Sequence, residues 1–252
     1  MSYYRQPSIS FGPPLSGVVK YLIIFTSAVF LLTFLPAQLF HWEYPYLYFS
    51  LIPYAVTHFV PLAGGLRLPY FWQPVTYLFL HGGWFHIIFN LFALWMFGAD
   101  LERLWGPRQF LFYFFLTGIG AGLFDVMLQP NAQIPTIGNS GAVYGILLAY
   151  GILFPDRPIL LWMIIPIKAK WFVVIMGAIE FVSSLNGPGT GVAHVAHLGG
   201  MLFGYLYLRG GGMPYRWQLR YHDWRRARLR RKFEVYMTKQ DKKKDPQGPW
   251  IN

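Results

Sequence analysis

The chain has 252 residues, 55% hydrophobic and only 12% charged, with a mean hydropathy of +0.36; this balance indicates a membrane protein that crosses the bilayer several times. The absence of cysteine excludes disulfides, thiolate metal sites and cysteine nucleophiles. The net charge of +11 is concentrated, with 13 Lys and Arg against 4 Asp and Glu from Arg209 onward, so it does not describe a nucleic-acid-binding surface spread over the whole chain.

A short N-terminal segment, 1–17, is assigned to the cytoplasm. Apolar runs follow at Val18–Leu35, Trp84–Phe97, Phe110–Leu128, Ser140–Phe154, Trp171–Leu185 and Val192–Leu208, which predicts an all-α membrane domain of six transmembrane helices over 18–209. The first run is long and lacks an A-x-A cleavage site, so it reads as a retained anchor rather than a signal peptide. Several runs are shorter than the roughly 20 residues that span a hydrocarbon core; their ends must borrow flanking residues or start below the membrane surface. With the N-terminus inside, 20 of the 21 basic residues fall in cytoplasmic segments and only Arg67 lies outside. Both termini are therefore expected in the cytoplasm, with a bacterial inner membrane as the expected location.

Two connections stand apart. Pro36 to Leu80 is long and rich in aromatics and prolines, as in HWEYPYLYFSLIPYAVTHF, which suits a segment lying at the outer interface. Pro155 to Lys170, PDRPILLWMIIPIKAK, is apolar but broken by prolines and reads as re-entrant or interfacial. After three glycines at 210–212, the basic tail, 210–252, contains a candidate amphipathic helix and a polar end. It is expected to touch anionic lipid, with nucleic acid a minor alternative. No signal for oligomeric state is present.

Three polar groups sit at the outer starts of the second, fourth and sixth runs. His86 and Asn90 are four residues apart and share a helix face. Ser140 stands at a helix start between Gly138 and Gly141, with Tyr144 one turn later. His194 and His197 open the sixth run. Groups of this kind are costly at membrane depth and face an interior cavity. The small-xxx-small patterns Gly141/Gly145 and Gly200/Gly204 let helix backbones approach. A serine beside an imidazole is a candidate nucleophile and base, and unpaired N–H groups at a helix start, with His86 and Asn90, could bind an oxyanion. No acidic residue adjoins in this pattern, so a Ser-His dyad is expected rather than a triad. Taken singly, each group has a plainer reading as a packing serine, an interhelical hydrogen-bond partner, or, for His194 and His197, a metal half-site or satisfied interior histidines; their convergence at one depth favours function.

These residues resemble a rhomboid intramembrane serine protease. GNSG at 138–141 is similar to the family's GxSG, HIIFN at 86–90 to its HxxxN, and AHLGGMLFG at 196–204 to its AHxxGxxxG. The resemblance implies a six-helix rhomboid-like bundle with a long interfacial loop between the first two helices. It further implies Ser140 as nucleophile and His197 as general base, chosen over His194 because only His197 has glycines three and seven residues later. His86 and Asn90 would join the Ser140 N–H in the oxyanion hole, Gly138 would shape it, and Tyr144 would pack against the His197 ring. Gly98, Glu102 and Gly106 resemble the family's GxxxExxxG, which implies a structural Glu102. One departure is Trp72-Gln73, where family members often carry Trp-Arg.

The implied activity is hydrolysis of peptide bonds in or near transmembrane segments of membrane-protein substrates, without a cofactor. Substrates would carry helix-weakening Gly or Pro and a small residue before the cut, and would reach the site between the second and fifth helices. Alternatives are a non-catalytic rhomboid-like scaffold that binds client helices, and a transporter or channel lined by the same polar groups. A metalloprotease is disfavoured because no H-E-x-x-H occurs. Glu180 and Asp125, inside the fifth and third runs, are candidates to line the cavity or to pair with interior donors, with a structural role favoured for both.

Overall fold

The computed structural model describes residues 14–15, 17–62, 65–161, 165–185 and 193–210, together with 224, 226–231, 233–234 and 236–237. The chain separates into two units, Met1–Gly210 and Gly211–Asn252. In the second unit the described residues between 224 and 237 are helical. The rest of the expected tail helix, the segment before residue 14 and the start of the sixth run at Val192 lie outside the described residues.

The first unit is mostly helical. Helix α1 (Gly17–Phe40) leads into short helices α2 (Tyr44–Phe49) and α3 (Pro53–Thr57), strands β1 (Val60–Pro61) and β2 (Arg67–Leu68), and α4 (Gln73–Thr76), which runs on into a 3-10 turn at Tyr77–Phe79. Helix α5 (Trp84–Ala93) continues through a π turn, Leu94–Gly98, into α6 (Ala99–Trp105). Helices α7 (Pro107–Leu128) and α8 (Ser140–Leu153) follow, then strands β3 (Pro158–Leu161) and β4 (Ile165–Lys168), then α9 (Ala169–Ser184) and α10 (His194–Arg209). Gly17–Phe40, Trp84–Trp105 and Pro107–Leu128 are each long and apolar enough to cross a membrane. Large apolar side chains stand exposed on this unit, among them Leu32 of α1, Phe85 and Phe89 of α5, and Val174 and Phe181 of α9. A surface of that composition suits lipid, which has no preference for polar groups.

The structure modifies the all-helical expectation in two places. The proline-broken segment after α8 is a hairpin, with β3 antiparallel to β4 and Pro158 opposite Lys168. Prolines at 155, 158 and 166 deny it a helix, and its isoleucines suit a pleated strand. The long segment after α1 is not a plain loop either. Its helix α2 is pinned by side chains at and just before α4: Trp72 Nε1 donates to Tyr48 O at 2.8 Å and Thr76 Oγ1 to Phe49 O at 2.8 Å. Gln73, fully buried, accepts from Ile52 N at 3.0 Å and donates to Tyr48 O at 3.3 Å. The glutamine thus makes a loop contact that suits its neutral amide, since an unpaired charge there would be costly to bury.

The packing that matters most is α8 against α7 and α10. A Cβ on Gly200 of α10 would stand 1.9 Å from the Gly141 carbonyl oxygen of α8, so the two backbones touch. The sequence pattern suggests that Gly141 and Gly145 admit α10. In the structure their missing Cβ atoms chiefly admit α7, at Ala121 and Thr117, whereas Gly200 and Gly204 of α10 make the room for α8 and for Tyr113 of α7. The pattern shows which positions are small but not which neighbour each one faces.

Glu102 ties the start of α1 to α6. Its Oε1 accepts from Val18 N at 2.6 Å and its Oε2 from Val19 N at 3.0 Å, satisfying N–H groups that have no partner within α1 and complementing the helix dipole. Replacing Glu102 by alanine is expected to lower stability in detergent micelles by about 2–3 kcal/mol, the scale of hydrogen bonds to a buried charge. A thermal unfolding midpoint unchanged from the parent chain refutes that role.

Candidate active site

The segment that delivers Ser140 is held from several sides. Leu51, Tyr77, Leu78 and Val126 form a buried apolar cluster beneath it. Leu51 and Thr136 exchange backbone hydrogen bonds at 2.9 and 2.8 Å. Asp125, on the last turn of α7, accepts from Gln129 Nε2 at 2.9 Å and from Thr136 Oγ1 at 3.0 Å, so this carboxylate clamps the segment to its own helix. Further on, Gly138 N donates to Tyr77 O at 2.8 Å. Gly138 itself has φ +106°, a conformation open to glycine and strained for other residues. The chain then turns, and Ser140 is the first helical residue of α8, a position whose N–H has no intrahelical acceptor.

Ser140 Oγ and His197 Nε2 lie 2.7 Å apart, across the α8–α10 contact. His197 is buried, and its ring stacks on Tyr144 with centroids 4.3 Å apart and planes 14° off parallel. On the other side, α5 brings His86 and Asn90 to the segment before the serine. A Cβ on Gly138 would meet His86 Nε2 at 2.7 Å and Asn90 Nδ2 at 3.7 Å, so glycine is required there for space as well as for φ. Asn90 is buried, and its Nδ2 donates to His86 O at 3.1 Å. Ser140, His197, Tyr144, Gly138, His86 and Asn90 therefore form one constellation drawn from α5, α8 and α10.

The structure adds groups that the motif spacing does not reveal. Glu180 of α9 directs Oε2 to His194 Nδ1 at 2.6 Å and to His197 Nδ1 at 3.0 Å, and Tyr144 OH donates to its Oε1. The expectation that no carboxylate adjoins the base is thereby corrected: Glu180 lies seventeen residues before His197 and reaches it from another helix. Glu180 thus pairs with interior donors, one of the two readings open to it in the sequence. Asp125, by contrast, has the local clamping partners described above. His81 is also present, its ring centroid 4.8 Å from that of His86. Burial pushes its imidazole down, to about 4, and neighbouring His86 adds to the effect. His81 therefore stays neutral at ordinary pH and contributes hydrogen-bonding capacity rather than charge. Its signal in the sequence is only its nearness to His86, at a spacing that no helix face explains.

Residues 69–212 match the family described as Rhomboid domain. The chain belongs to the rhomboid family. As a rhomboid it is an integral membrane protein, and the matched stretch contains the whole constellation from α5 to α10. Among its relatives, Rhomboid protein 1, mitochondrial, of Saccharomyces cerevisiae is 30% identical over 51% of this chain and 38% of its own length. Rhomboid protease GluP of Bacillus subtilis is 29% identical over 57% of this chain and 26% of its own. Inactive RHOMBOID-like protein 8 of Arabidopsis thaliana is 36% identical over 30% of this chain and 21% of its own. The rhomboid chain described here thus spans well under half the length of these relatives.

Substituting Gly138 by alanine is expected to destabilise the rhomboid domain by about 1–3 kcal/mol, because the side chain meets both an unfavourable φ and the His86 ring. Thermal unfolding in detergent measures this. A midpoint equal to that of the parent chain would show that the segment relaxes without strain.

Proposed function

We propose that this rhomboid is an intramembrane serine endopeptidase that cuts peptide bonds in or near the transmembrane segments of other membrane proteins. The observation that carries the reading is the 2.7 Å approach of Ser140 Oγ to His197 Nε2. Ser140 is the nucleophile and His197 the general base. The Ser140 N–H, His86 and Asn90 are the donors for the oxyanion, Gly138 shapes that pocket, and Tyr144 orients the base.

In the first step the Ser140 hydroxyl proton passes to His197 Nε2 as the oxygen adds to the scissile carbonyl carbon. Negative charge then gathers on the carbonyl oxygen, where fixed donors act most strongly in a site shielded from bulk water. The C–N bond breaks as His197 returns the proton to the departing amine, leaving an ester on Ser140. Water, losing a proton to His197, adds to the ester and releases the carboxylic acid product and the free serine. The cycle balances with water as its only co-reactant, so no cofactor is called for.

The membrane layout in this reading has six spans: α1, α5 with α6, and α7 to α10. Both termini face the cytoplasm of a bacterial cell and the site lies near the outer surface, where hydrolytic water can arrive. The short α8, preceded by irregular backbone, supports this depth, because non-helical backbone is tolerated in a membrane only where it is buried in protein or lines a wet cavity. Substrate helices weakened by Gly or Pro would approach between α5 and α9, both of which carry exposed apolar side chains. The basic tail, 210–252, would rest on anionic lipid.

The test is cleavage of a reporter single-span substrate in proteoliposomes. The parent chain is expected to cleave, and Ser140→Ala and His197→Ala to fall by at least about 10³-fold. Cleavage that survives Ser140→Ala places the chemistry elsewhere; a parent chain that binds reporter helices without cutting them supports a scaffold.

A further inference from the structure

Glu180 has no part in the dyad chemistry above, yet it is the most heavily engaged side chain around the base. It sits inside α9, buried, and three hydrogen-bond donors converge on it: His194 Nδ1 at 2.6 Å, His197 Nδ1 at 3.0 Å and the Tyr144 hydroxyl. An ionised carboxylate is a pure acceptor, so it can satisfy all three. His197 Nδ1 is not aligned for a straight hydrogen bond to Oε2, but among the described residues it has no hydrogen-bond partner elsewhere. The carboxylate therefore faces the one ring nitrogen that the serine does not use.

We propose that Glu180 is a positioning residue for the base: it keeps the His197 proton on Nδ1, leaves Nε2 as the acceptor for Ser140 Oγ–H, and stabilises the imidazolium that forms as the serine attacks. This rests on the hydrolase reading above. An imidazole has two tautomers, and the hydrogen bond made by one nitrogen decides the role of the other. Tyr144 contributes twice, stacking on the His197 ring and donating to Glu180 Oε1, so ring plane and carboxylate are set by one side chain. Glu180, His194 and His197 also offer one ligand atom each within 4.8 Å. The carboxylate oxygens face both imidazoles and the phenol.

The decisive variant is Glu180→Gln. Glutamine keeps the shape and can offer its carbonyl oxygen to the two imidazoles and its amide to the Tyr144 oxygen, so a role in packing alone predicts near-parental activity. If the negative charge stabilises an imidazolium present only in the transition state, kcat falls about 100-fold or more while KM changes less than about twofold. The rate of Ser140 labelling by a fluorophosphonate should fall in parallel, at an unfolding midpoint close to that of the parent. A Glu180→Gln protein with kcat within about threefold of the parent overturns the proposal. If the variant does not fold, 15N NMR of the parent chain, labelled at histidine and assigned through His197→Gln, decides. Protonated Nδ1 with unprotonated Nε2 in the resting state is expected, and a proton resident on Nε2 overturns the proposal. Failure of the hydrolase reading is separable, since it would show as a parent chain that cuts no reporter, or as Ser140→Ala retaining cleavage, whereas the His197 tautomer in the parent chain tests Glu180 by itself.

Discussion

The contact between the backbones of α8 and α10 is the constraint on which the rest of the site depends. With a Cβ position at Gly200 only 1.9 Å from Gly141 O, no side chain larger than hydrogen fits between the helices. Gly141 directly follows Ser140, and Gly200 comes three residues after His197, one turn along α10. The closest point of the two helices is therefore next to the pair of atoms that meet at 2.7 Å. In a bilayer, lipid tails are as apolar as the helices, so association rests on close packing and on hydrogen bonds between helices. Glycine supplies the first here and the Ser140–His197 pair the second.

Among the described residues of the membrane unit, each of the three buried carboxylates has a different architectural task. Glu102 closes the N-terminus of α1, Asp125 holds the segment that leads to Ser140, and Glu180 joins α8, α9 and α10 around His197. A buried carboxylate is tolerated when its oxygens are hydrogen-bonded, and all three meet that condition. Their partners lie at helix ends, in an irregular segment and on neighbouring helices, the places where an apolar chain has the most freedom to go wrong. Polar groups thus supply geometry that nonspecific apolar packing cannot.

The outer segment and the serine-bearing segment are likewise one assembly. Leu51 pairs with Thr136, Tyr77 O receives Gly138 N, and Tyr77 OH donates to Gly118 O at 2.6 Å. The segment after α1 and the residues just before Ser140 are therefore tied together by direct hydrogen bonds. The buried Gln73 joins the same assembly through Tyr48 and Ile52, which gives the residue that departs from the usual family pattern a definite structural task.

Much of this protein could be read from the sequence alone, because the relevant physics is local. Repeated apolar runs with aromatics between them follow from the bilayer as solvent. Ser140, His86, Asn90 and the pair His194 and His197 could be singled out because a polar group in an apolar run is expensive, and expense marks a position; the choice of His197 within that pair comes from the family resemblance. Gly138 is the glycine just before a helix start. What only the tertiary structure decided is the partnership of groups that share no spacing: Glu180 with His194, His197 and Tyr144, Glu102 with the start of α1, Gln73 with Tyr48 and Ile52. Periodicity along one helix carries no record of which face of a different helix it will meet. The turning of Gly141 and Gly145 towards α7, with Gly200 and Gly204 making the room for α8, belongs to that same part, since a small residue states that something comes close but not what.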